Sequence, residues 1–277
     1  MSPLEVPQRF ARAILVHLLR VYAADLYPDA ALILGIHGPA GEGKTLQLDT
    51  LLHACGVQTF RLSGGQFEDR LSGEPARRLR DTYLQASDHL RQEGPAAVVV
   101  NDIDTGIGDF GNLVQYTVNR QNVAGELMSL ADGPETVEGR SIVRVPIIVT
   151  ANDLTKLYAP LLRLGRMVPY FWQPSAEEKA GIVARIYPGL RDNEISALVN
   201  EYRDQPVAFF AQLGMAAGDA AIWDYVQHRG FTAALHEARR GKVRFRSEVT
   251  LEALREAADN LLQRQEDLSN YVQGATA

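Results

Sequence analysis

The sequence predicts an α/β fold: a parallel five-stranded sheet with helices on both faces, followed by a small helical lid. Short apolar runs alternate with helical stretches through the first 173 residues, which is the pattern of βαβ units in a doubly wound sheet. One of those runs flows directly into a Gly-rich turn at Gly38–Thr45. After Gln173-Pro174-Ser175 no buried strand follows, and only helical periodicity continues. These features divide the chain into residues 1–173, the α/β subdomain, and residues 174–277, the helical subdomain.

Phe10, Ile14, Leu15, Leu18 and Leu19 fall on one face of a helix running from Phe10 to Tyr22. The run from Ala31 to Ile36 reads as a buried parallel strand that delivers the Gly-rich loop. Lys44 to Cys55 is then helical, Val57 to Leu62 a second strand, and Glu74 to Arg91 a helix. Ala96 to Ile103 forms a third strand that ends in acidic residues, and Gln115 to Asp132 a helix with Val118, Leu127 and Leu130 along its apolar side. Val145 to Thr150 and Val168 to Trp172 complete the sheet. Ser175 with Glu178 makes a capping box. Helices are expected to begin at Ala176, Asp192, Pro206, Asp219 and Thr232, with a last long one from Thr250.

The composition narrows the function classes. A net charge of −6 and a pI near 5.6 argue against nucleic acid as a partner. With one cysteine, Cys55, no intramolecular disulfide forms, and the six histidines show no metal-ligand spacing. No apolar run approaches membrane-spanning length and no signal pattern opens the chain, so a cytoplasmic protein is expected.

Gly38-Pro39-Ala40-Gly41-Glu42-Gly43-Lys44-Thr45 fits G-x-x-x-x-G-K-[ST] between a buried strand and a helix. Backbone N–H groups of such a loop face the phosphates of a nucleoside triphosphate, here ATP; Lys44 reaches the β- and γ-phosphates and Thr45 ligates Mg2+. The third strand ends at Asn101-Asp102, where Asp102 stands in the place of a catalytic acid and can hold magnesium. Asn152, after the fourth strand, is positioned to bond the γ-phosphate or the attacking water. Arg163 and Arg166, three apart before the fifth strand, can stabilise the transferring phosphoryl group in a neighbouring subunit.

This order of phosphate loop, acidic strand, asparagine, paired arginines and helical lid resembles the AAA+ ATPases. Asn101-Asp102-Ile103-Asp104, Gln115-Tyr116-Thr117-Val118-Asn119, Arg144 to Thr150, Asn152-Asp153, Leu157-Tyr158-Ala159-Pro160-Leu161 and Gly165-Arg166-Met167 further resemble the green-type Rubisco activases. The resemblance implies an ATP-driven ring, usually a hexamer, that acts on Rubisco and releases inhibitory sugar phosphates from its sites. It also implies two pore-facing loops, one at Gly64–Glu68 where Phe67 either grips a peptide or sits in the core, the other at Gly106–Gly111. The chain departs from the family in three places. An N-terminal Rubisco-engaging domain and a cysteine-bearing C-terminal tail are expected to be missing, and a lid arginine is absent from Phe209–Ala216. Two alternatives stay open: a remodeller of another protein complex, and a nucleotide-gated scaffold that does not hydrolyse ATP.

Overall fold

A computed structural model describes residues 5–67, 73–107, 117–241 and 249–275. The chain divides into two compact units, Met1–Gln173 and Pro174–Ala277. The first is organised around five parallel strands: β1 (Ile33–His37), β2 (Gln58–Ser63), β3 (Ala96–Asn101), β6 (Ile147–Ala151) and β7 (Met167–Phe171). Two residues each of β4 (Thr136–Val137) and β5 (Arg140–Ser141) form a separate antiparallel ribbon. The parallel order is β2-β3-β6-β1-β7. Strands β1, β3 and β6 occupy its middle and are apolar except for His37, Asn101 and Thr150 toward their carboxyl ends; Ala96 to Val100 are completely buried, as the inner strands of a sheet covered on both faces must be.

Helix α1 (Gln8–Tyr22) buries Phe10, Ile14, Leu18 and Val21, one helical stripe, and leaves its arginines in solvent. Helices α2 (Lys44–Ala54), α3 (Glu74–Gln92), the short α4 (Ile103–Ile107) and α5 (Thr117–Asp132) complete the unit. The third strand is shorter than expected, because Asp102 takes a positive φ of 50° and turns the chain into α4.

The edge strand β7 carries a proline at a position that costs the sheet nothing. Ile33 N donates to Arg166 O at 3.0 Å and Trp172 N to His37 O at 2.6 Å. The alternation of a parallel ladder therefore directs residues 168 and 170 at β1 and leaves Pro169 facing the outer edge. Its missing N–H removes a donor from that edge and none from the ladder, which protects the edge against a further strand.

In the second unit, α6 (Ala176–Ile186), α7 (Asp192–Glu201), α8 (Val207–Arg229), α9 (Phe231–Arg239) and α10 (Leu251–Ala275) surround a core that includes Val183, Leu198, Phe210, Leu213 and Leu254. Ser175 and Glu178 form the capping box of α6, at 3.2 and 2.8 Å. The separate helices expected from Pro206 and Asp219 are one continuous α8. Gly214 and Gly218 cost the helix only about 1 kcal/mol each, less than stopping and paying for a second nucleation.

Candidate nucleotide-binding site

The register of the middle strands assembles the site. His37 pairs with Ala151, and Val100 with Val149. The residues just beyond, Gly38, Asp102 and Asn152, therefore meet at the carboxyl edge of the sheet, where open α/β sheets bind ligands.

Gly38, Gly41 and Gly43 have φ of 149°, 77° and 75°. Gly38 is fixed by more than conformation, since a Cβ there would lie 2.0 Å from the Trp172 carbonyl oxygen. Trp172 locks the loop from below: its indole N–H donates to the Glu42 carbonyl at 2.9 Å, and its ring is fully buried edge-to-face against Phe10. Gly43 leads into α2, so the first amides of that helix point to the place an anion would take.

Lys44 is 6% exposed and its ammonium is fully used. Nζ donates to Gly38 O at 2.8 Å, Pro39 O at 2.9 Å and Asn152 Oδ1 at 2.9 Å, which satisfies all three N–H donors. Burial pushes its pKa down, and the carboxylates of Asp102, Asp104 and Glu42 oppose that shift. The lysine thus rests on weak carbonyl acceptors that phosphate oxygens can replace. Asn152 and Lys44, 108 residues apart, share a hydrogen bond across the proposed phosphate position.

Asp102 is exposed at the strand end. Its amide donates to Thr150 Oγ1 at 3.0 Å, and its carbonyl accepts from Thr105 N at 3.0 Å and Thr105 Oγ1 at 2.7 Å. Gly64 and Gly106 pack so closely behind this turn that a Cβ on Gly106 would meet Gly64 O at 2.1 Å. The backbone around Asp102 is thereby held while its carboxylate stays open. Thr45 and Asp102 offer hydroxyl and carboxylate oxygens, the donor chemistry that Mg2+ takes.

Arg163 and Arg166 are elsewhere. Arg166 immediately precedes β7, whose first residue pairs with Ile33 at the start of β1. The two arginines are therefore at the opposite edge of the sheet from Gly38. Arg166 is clamped within its own subunit, with Nε and Nη2 on the two carboxylate oxygens of Asp132 at 2.7 and 2.6 Å and Nη1 on Pro160 O at 2.9 Å. That pairing holds the Asp132 carboxyl below its usual range and raises the guanidinium. Arg163 is exposed beside Leu164, which is 94% exposed.

Of the two places expected for Phe67, the structure shows the core. Phe67 is 2% exposed and belongs to the core cluster that contains Leu79, Tyr83, Ile103 and Ile107. The turn Gly64–Phe67 carries the ring inward, where its burial is worth roughly 2 kcal/mol, so the Phe67 ring is not offered for gripping a peptide. In the second expected loop Gly106 and Ile107 are buried in α4, and positions 108–111 lie outside the described residues.

Sequence reasoning overlooked Asp104, Thr150, Trp172 and Asp132. Asp104 is 2% exposed, and its Oδ2 accepts from the amides of Asn152 and Asp153 at 2.9 and 3.1 Å. Its signal was present: an acid three residues past the strand end, between the apolar Ile103 and Ile107.

Residues 34–175 match the family model described as ATPase family associated with various cellular activities (AAA). Residues 176–265 match the model described as ribulose bisphosphate carboxylase/oxygenase activase, AAA, helical. A curated relative named ribulose bisphosphate carboxylase/oxygenase activase, from Nostoc sp., is 38% identical over 235 residues, 82% of this chain and 57% of the relative. The chloroplastic activase of Arabidopsis thaliana is 33% identical over 271 residues, 94% of this chain and 57% of the relative. That of Zea mays is 32% identical over 275 residues, 95% of this chain and 64% of the relative. The chain thus spans less than two thirds of the length of these relatives.

Proposed function

Since the chain belongs to the AAA family of ATPases, we propose that it hydrolyses ATP and uses the energy to remodel Rubisco, releasing inhibitory sugar phosphates from closed sites. The observation that directs the reading to this target is the match of the helical unit, residues 176–265, to the helical domain of Rubisco activases. The α/β unit supports the chemistry. The amides of the loop from Gly38 to Thr45 bind the phosphates, and Lys44 leaves its carbonyl acceptors for the β- and γ-phosphate oxygens. Asn152, released from Lys44, orients the attacking water, and Asp102 draws its proton. Magnesium, when bound, neutralises phosphate charge, and Thr45 and Asp102 are the residues that would hold it. Arg163, which is exposed, acts on the phosphate of a neighbouring subunit, while Arg166, held by Asp132 and Pro160 of its own subunit, fixes the turn that carries it; a ring, with six subunits the expected number, is then the working form.

The test is to mix the protein and ATP with sugar-phosphate-inhibited Rubisco from the same organism and follow recovery of carboxylation. Recovery that requires ATP and is lost with Lys44→Ala supports the reading. ATP turnover without recovery would assign the engine to another protein complex, and ATP binding without phosphate release would reduce it to a scaffold.

A further inference from the structure

Asp104 is a buried carboxylate whose position invites an explanation beyond packing. Its Oδ2 gathers two successive amides, Asn152 N at 2.9 Å and Asp153 N at 3.1 Å, while its Oδ1 is buried and has no partner among the described residues. These two bonds join the first turn of α4 to the turn that leaves β6, 48 residues away in sequence. Asp153 then closes that turn by accepting from Thr155 N at 2.9 Å and Thr155 Oγ1 at 2.6 Å. The outcome is the placement of one side chain, Asn152, whose Oδ1 lies 2.9 Å from Lys44 Nζ.

Holding the turn does not by itself call for a charge. An asparagine oxygen would accept the same amides without the cost of burying a carboxylate with an unpaired oxygen. The charge is useful only if something nearby is cationic, and the Lys44 ammonium is: Asp104 is among the groups that favour its charged form.

We propose that Asp104 is the positioning residue for Asn152, fixing the turn after β6 so that the asparagine meets Lys44 and, during turnover, the γ-phosphate region. Asp104 touches no reacting atom in this scheme; it acts through the two amides. The proposal rests on the reading of the chain as an ATPase and adds to it the device that sets the asparagine.

The experiment is a double-mutant cycle on ATP turnover, with Asp104→Ala and Asp104→Asn each made alone and together with Asn152→Ala. Asp104→Ala is expected to lower kcat about a hundredfold, the cost of misplacing a reacting group by about an ångström, with little change in KM for ATP. In the Asn152→Ala background the same change should cost less than about threefold, because the two residues act as one unit. Asp104→Asn should recover most of the loss, since its carbonyl oxygen accepts from the same amides. Losses that multiply in the double variant, or a loss that falls on KM alone, would overturn the proposal. Should Asp104→Ala fail to fold, the amide proton resonances of Asn152 and Asp153 in Asp104→Asn decide the matter. They are expected to move upfield as charge-assisted bonds become neutral ones, and unmoved resonances refute the contact. A wild-type protein that turns over no ATP removes the ATPase reading and the proposal together, whereas normal wild-type turnover with multiplying losses removes the proposal alone.

Discussion

On the inner side of α1, His17 is 6% exposed, its ring hydrogen-bonds the Leu32 backbone, and its Nε2 has no hydrogen-bond partner among the described residues. Burial, assisted by the guanidinium charges of Arg20 and Arg144, lowers its pKa from 6.5 to about 4. Between those two values the unfolded chain binds a proton that the folded protein refuses, so stability rises with pH across this window. The contribution is fully present above about pH 6.5 and is lost as the pH falls toward 4, with an upper size of about 3 kcal/mol. His17→Leu should therefore flatten the dependence of the urea midpoint on pH between 4.5 and 6.5. The variant's absolute stability also reflects the lost bond to Leu32, so the slope is the quantity to compare. An unchanged slope would show that other groups set it.

Between elements, the clearest fastening is the one that Arg166 makes. Its guanidinium joins the end of α5, through Asp132, to the turn at Pro160 and to the start of β7. The same turn also has backbone bonds such as Leu161 N to Tyr158 O at 2.9 Å and Met167 N to Arg163 O at 3.3 Å, and it buries Leu161 and Met167 in the core. Asp132→Asn removes the charge and one acceptor, and the local structure should open more often. Amide exchange at Leu161, Arg166 and Met167 is expected to speed up roughly two- to fivefold, the size of an exposed ion pair, while amides of β1 and β3 keep their rates. Equal acceleration across the sheet would mean that the pair supports the whole unit. Because Asp132 holds its proton weakly, the clamp persists well into the acidic range and opens only as the pH falls below the ordinary carboxylate value.

At the scale of the molecule, the sheet was legible because buried parallel strands are continuous apolar runs, as Ala96 to Val100 and Ile147 to Val149 are. The phosphate loop was legible because eight consecutive residues carry its geometry. Thr150 and Trp172 were not, since their partners lie 48 and 130 residues away and no local pattern announces them; Asp104 shows as an acid among apolar neighbours, but the two amides it holds, 48 and 49 residues on, do not. Phe67 stayed open between two readings for the opposite reason: Gly64 and Gly65 precede it as they would in a surface loop, yet a tight turn puts its ring inside. The ribbon Thr136–Ser141 escaped notice because Glu138-Gly139, both with positive φ, is not a familiar turn pair. The parallel order also constrains how a complete site is made. Arg166 lies beside the start of β1 and Gly38 beyond its end, five residues on, or about 16 Å at the rise of a strand, and Arg163 sits on the same side as Arg166. Neither arginine can complete the site of its own subunit, so turnover should need a second copy in a head-to-tail arrangement. Lys44→Ala and Arg163→Ala should each be nearly inactive alone, the first for want of phosphate binding and the second for want of charge on its neighbour's phosphate. Mixed in equal amounts and allowed to exchange subunits, they should regain activity, because one interface in about four would combine an intact Lys44 with an intact Arg163 from the next subunit. A mixture as inactive as its components, or an Arg163→Ala protein that turns over ATP at the full rate, would show that the site is not shared through Arg163.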